Sequence, residues 1–71
     1  MKPCYDRLWH TCIDKKIRRM ELTRLADIST STLHKLSHEK WVSLEVISRL
    51  CKVLDCTPND IVSFEEGEVK D

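Results

Sequence analysis

Seventy-one residues carry 12 Lys+Arg against 12 Asp+Glu, a formal net charge of zero with the histidines neutral. A chain that short is one domain at most and buries only about 60% of its unfolded surface, so one small core leaves little room for an enclosed catalytic cleft. The hydrophobic fraction of 41% and charged fraction of 34% describe an ordinary globular chain; its apolar runs, never longer than pairs, are far short of the ~18–20 residues of a membrane span, and no apolar leader opens it, so a cytoplasmic protein is expected.

Helical spacing recurs along the chain, whereas strict apolar/polar alternation and hairpin dipeptides are missing, so no strand is expected. Tyr5, Leu8, Trp9, Cys12 and Ile13 fall at i, i+3, i+4, i+7 and i+8 and predict a helix over residues 4–15, with Pro3 suited to its start. Leu22, Leu25 and Ala26 predict a second, short helix over 19–26. Asp27-Ile28-Ser29 then makes a three-residue break, and Ser29 can cap a third helix over 30–37 with Leu33 and Leu36 facing in. Ser43 caps a fourth helix carrying Leu44, Ile47, Leu50, Cys51 and Leu54 at core spacing. Thr57-Pro58-Asn59-Asp60 has the cap, first-turn proline and reciprocal acid of a fifth, which would bury Ile61, Val62 and Phe64. The expected fold is all-α, a compact five-helix bundle over residues 1–64. Trp41 lies in a loop and is expected to lid the core, and the acidic stretch 65–71 is expected to be a disordered tail.

Cys4, Cys12, Cys51 and Cys56 are spaced by 8, 39 and 5, with no C-x-x-C pair and no histidine at zinc-like spacing. In a reducing cytosol they are expected to be free structural thiols, and neither metal nor cofactor is expected. No G-x-S-x-G, phosphate-binding glycine loop or H-E-x-x-H occurs, so no enzyme is expected.

Charge distribution is more informative than its sum. Residues 1–41 hold nine Lys/Arg and five Asp/Glu, for +4; residues 42–71 hold three and seven, for −4. Lys15, Lys16, Arg18, Arg19 and Arg24 fall within ten residues opposed only by Glu21, and Lys35 and Lys40 with His34 and His38 continue the patch. Such a local patch serves phosphate binding, which depends on contacts made and not on the total. A solvated helix face is the plainer reading of a charge run taken alone. Here, however, two short helices meet at a three-residue break and the second opens on Thr30-Ser31-Thr32, the layout of a helix-turn-helix. Hydroxyls at those positions can donate to or accept from base edges, and threonine offers a methyl for thymine; they can equally do no more than cap the helix.

Leu8-Trp9, Ile13-Asp14-Lys15-Lys16, Glu21-Leu22 and Ile28 through Leu33 with Lys35-Leu36 together resemble the Cro/cI-type helix-turn-helix domain of the xenobiotic-response-element, phage-repressor-like family. Val42-Ser43-Leu44, Ile47, Leu50-Cys51, Leu54-Asp55-Cys56 and Asp60-Ile61 continue the likeness, which covers about four-fifths of the chain. The resemblance implies a five-helix domain that binds double-stranded operator DNA in the major groove, usually as a homodimer, and a transcriptional regulator, typically a repressor. It implies base reading by Thr30, Ser31, Thr32, His34 and Lys35, and phosphate contacts from Arg18, Arg19, Arg24, His38 and Lys40.

Three residues depart from the family pattern. Arg18 stands where a Ser or Thr cap is common, at a cost of roughly 1 kcal/mol. Asp27 replaces the usual turn glycine, and Glu39 stands where glycine often ends the third helix. A second function class remains open beside DNA binding, a protein–protein module such as an antitoxin-like or adaptor protein, motivated by the acidic second half and Trp41. A thiol or metal sensor rests on the four cysteines alone.

Overall fold

The computed structural model describes residues 1–66, and its four α-helices follow the apolar spacing, with side-chain caps at the starts of the third and fourth. In chain order it has β1 (Lys2–Cys4), α1 (Asp6–Asp14), α2 (Arg19–Ala26), α3 (Thr30–Ser37), α4 (Leu44–Leu54), one 3-10 turn at Pro58–Asp60, and β2 (Ser63–Glu65). Ser29 Oγ accepts from the Thr32 N–H at 3.1 Å and Ser43 Oγ from the Val46 N–H at 3.2 Å, so two orphan donors at helix starts are satisfied as the sequence predicts.

All four α-helices end in the same way, without glycine. Lys16, Asp27, Glu39 and Asp55 take φ of 60°, 56°, 57° and 55°. In each case the residue after them donates its N–H back across the last turn: Ile17 to Cys12, Ile28 to Thr23, Lys40 to Lys35, and Cys56 to Cys51. This is the Schellman closure, with a left-handed residue followed by one that folds onto the helix. Ile17, Ile28 and Cys56 are partly buried against the core, so burial of the following side chain offsets the left-handed strain.

The core is a single cluster. Tyr5, Leu8 and Cys12 meet Leu22 and Ala26, Leu36, then Ile47, Leu50 and Leu54, with Ile61 closing the end. Trp9, Val42 and Val46 pack at its margin.

Several expectations are corrected. Among the described residues there are four α-helices, not five: Thr57 and Asp60 do form the reciprocal capping box, but only a single 3-10 turn comes after it. The chain is also not all-helical. β1 and β2 pair antiparallel with Lys2 opposite Glu65, Pro3 opposite Phe64 and Cys4 opposite Ser63. Proline holds the residue before it extended, and extending Pro3 and Cys4 against β2 buries both, which a helix begun at residue 4 would not do. Glu65, expected in the tail, is the last residue of β2, and Glu66 follows it exposed; the remainder of that expectation, residues 67–71, lies outside the described residues. Ile13, Leu25 and Leu44 face solvent, Leu44 at 83% exposure because it opens α4 one turn beyond the core. Trp41, expected as a lid on the core, and Phe64, expected within it, are 58% and 57% exposed and stack on each other at 5.8 Å.

Candidate nucleic-acid interface

The turn between α2 and α3 is fixed from both sides. Asp27 supplies the left-handed residue, and Arg49 Nη1 of α4 donates to the Asp27 carbonyl at 2.6 Å while its Nη2 reaches Glu45 at 2.9 Å. Ser29 then starts α3, and its hydroxyl lies 3.0 Å from those of both Ser31 and Thr32. Nothing in the spacing of apolar residues singles out Arg49; the signal is only its i+4 position from Glu45.

At 3.6 residues per turn, Thr30, Ser31, His34, Lys35 and His38 fall within an arc of about 140° on one side of α3. All five are exposed, and the buried Leu36 points the other way. Thr32 does not share that arc: it is half-buried on the packing side and its hydroxyl joins the Ser29 cap. The His34 and His38 rings touch, with centroids 4.1 Å apart.

The basic residues are arranged unevenly around this face. Arg19, the first residue of α2, stacks its guanidinium over the Trp9 ring at 3.9 Å from the centroid, and its Nη1 donates to Ser37 Oγ at 3.0 Å. It therefore ties α1, α2 and the end of α3 together at the edge of the exposed face. Arg18 is exposed at the start of α2 and gives it no side-chain cap, the departure expected from its identity. Arg18, Arg19 and Lys16 rim an open groove of about 570 Å³ floored by Trp9, Cys12, Ile13 and Ile17. Arg24, by contrast, stays on its own helix, 3.9 Å from Glu21. Lys40 is exposed in the loop after α3, and its carbonyl accepts from the Tyr5 hydroxyl at 2.7 Å.

Glu39, which places a negative charge beside this face, is met by Lys2 at 3.0 Å. An exposed pair of that kind adds little to stability, but it does offset the local repulsion toward an anion. Donor atoms of Cys4, Asp6 and Glu39 lie within 4.8 Å of one another, a cluster that spacing did not foresee; the Lys2 ammonium is already the cation on Glu39. Burial raises the Cys12 thiol above its ordinary range, and Cys56 is pushed up to about 11, by burial first and by neighbouring Cys51 next.

Trp9 and Ser37 are the site residues that sequence reasoning missed. Ser37 had a signal, since it continues the i, i+4, i+7 row begun by Thr30 and His34. Trp9 had none, because its meeting with Arg19 is a tertiary contact between two helices.

The sequence model of the Cro/C1-type HTH DNA-binding domain family matches residues 7–67. No curated protein is significantly similar to the chain. The crystal structure of the transcriptional regulator VanUg (Form II) superposes with a TM-score of 0.85 at 34% identity, over 87% of this chain and 83% of that one.

Proposed function

The chain belongs to the Cro/C1-type HTH DNA-binding domain family, and from that membership we propose that it is a sequence-specific transcriptional regulator which reads operator DNA in the major groove. One observation carries the reading: α3 presents Thr30, Ser31, His34 and Lys35 on a single exposed arc, with the Arg19 guanidinium held at the end of α3 by Ser37, Arg18 exposed next to Arg19 and Lys40 exposed in the loop after α3. Side chains on that arc can reach base edges while the flanking cations grip phosphates, which fixes register without reading sequence. His38 completes the arc beside the backbone-tracking loop. Thr32 supports the Ser29 cap and does not read bases, and Arg24 is a peripheral phosphate contact. The domain acts most simply as a cytoplasmic repressor, by occupying its operator as a homodimer on two half-sites one helical turn apart. Its family is one of DNA-binding regulators and not of enzymes.

Selection of bound duplexes from a random library tests this. Enrichment of a palindromic site is the expected outcome, and recovery of no site above background would overturn it. Lys35→Ala should relax base preference by about 1–3 kcal/mol at one position, whereas Arg18→Gln should weaken binding evenly across sequences.

A second reading, a protein–protein module, is favoured by the apolar groove of about 390 Å³ between Trp41, Leu44 and Phe64. Exposed apolar side chains gathered in one place mark interaction surfaces more often than scattered ones do. Sedimentation of the free chain, with and without operator duplex, separates the two: a partner-dependent module would ignore DNA altogether.

A further inference from the structure

We propose that Trp9, which lies outside the helix-turn-helix, is a positioning residue for DNA binding: its ring and the Ser37 hydroxyl hold the Arg19 guanidinium ready for a backbone phosphate. The inference rests on the DNA-binding reading above.

The geometry makes the guanidinium a prepared group. Its Cζ lies 3.9 Å from the Trp9 ring centroid, and Nη1 donates to Ser37 Oγ at 3.0 Å. Stacking consumes no N–H, and the bond to Ser37 consumes one of five, so the fork keeps most of its donors for a phosphate. Arginine is a long side chain that loses rotamer freedom when it grips an anion, and a guanidinium already stacked and tethered loses less at that moment. The groove beside it, rimmed by Lys16 and Arg18, is open, so a phosphate can approach without displacing protein.

Packing alone does not account for the choice of residue. Trp9 is only half-buried at the margin of the core, and a leucine could fill the apolar side of that position. What leucine could not supply is the electron-rich face that attracts a cation, strongest for Trp among the side chains. Ser37 sets the other coordinate. By drawing Nη1 towards the end of α3, it places the charge at the edge of the Thr30–His34 row, so phosphate grip and base reading share one register.

A double-mutant cycle on operator duplex, run across a salt series with folding checked by circular dichroism, tests the proposal. Trp9→Leu should weaken binding about threefold to tenfold, and Trp9→Phe, which keeps an aromatic face, should recover part of it. In an Arg19→Ala background Trp9→Leu should have no further effect, and each single variant should flatten the salt slope by about one per chain. Independent, multiplying effects of the two substitutions would overturn the clamp, as would an unchanged slope in Trp9→Leu. A wild-type chain that binds no duplex would instead overturn the DNA-binding reading, and the clamp with it. A merely structural Trp9 would lower stability but leave both the slope and the cycle untouched.

Discussion

Lys16, like Glu39, is at odds with its left-handed backbone. A left-handed conformation costs an ordinary L-residue roughly 1–2 kcal/mol, and Asp tolerates it better than Lys does. Lys16→Gly should therefore stabilise the fold by about 0.5–1 kcal/mol after the added freedom of the unfolded chain is discounted, and Asp55→Gly by less. Thermal melts should show a rise of about 4 °C for the first and a smaller one for the second, and a reversed order would mean that the lysine stem contributes packing of its own. At the same scale, the thiols of Cys12 and Cys56 are held protonated in the folded state. A thiol kept neutral at physiological pH is a poor nucleophile and a poor metal ligand, which argues against a thiol-based sensor built on these two. Because each folded pKa lies above the unfolded one, this protonation adds stability below the ordinary thiol range, and the contribution is lost as pH rises through the folded values, for Cys56 towards about 11. Alkylation by iodoacetamide at neutral pH should accordingly be slow at Cys12 and Cys56 in the native chain and fast after denaturation, and stability should begin to fall above pH ~9.

Elements were legible where a local signal and the core agreed. The α2 and α3 spans match the sequence reading because the Ser29 cap and the Leu22/Leu25/Ala26 and Leu33/Leu36 spacings are local features. The Ser43 cap likewise marked where α4 begins. β1 and β2 were not legible, since each is three residues long and its only partner lies some sixty positions away in the chain. The exposure of Leu44 and Phe64 was hidden for a related reason: periodicity assigns a face but not where the core stops. Within the candidate site, the row on α3 came from helical geometry, whereas the Tyr5 hydroxyl that anchors Lys40 came from a strand–helix junction no pattern announced. That anchor supports a test at this scale. Tyr5→Phe leaves the Lys40 carbonyl without its partner and should cost about 1–2 kcal/mol. Hydrogen exchange should rise first in the 39–42 loop, before the amides of α2 and α4, if the bond serves the loop and not the core.

Neutrality of the whole molecule conceals two opposed halves. The +4 half carries α1 to α3, and the −4 half carries α4, the 3-10 turn and β2, so on the proposed reading a phosphate backbone would meet a local patch that the total charge does not report. Beyond about 10 Å at 0.1 M salt the acidic half is screened, which leaves affinity to the contacts actually made. Counterion release counts those contacts: with Arg18, Arg19 and Lys40 on phosphates, a chain should neutralise about three and a homodimer about six, for a slope of log K against log salt near about −5. Arg18→Gln removes one contact per chain and should flatten the dimer slope to about −3.5, whereas Lys35→Ala should change discrimination between duplexes with a smaller change in slope. A wild-type slope near zero would mean that the basic half does not face phosphate at all. A slope near about −10 would mean that Lys15, Lys16 and Arg24 also reach the backbone, and that the protein wraps more of the duplex than the α3 face alone requires.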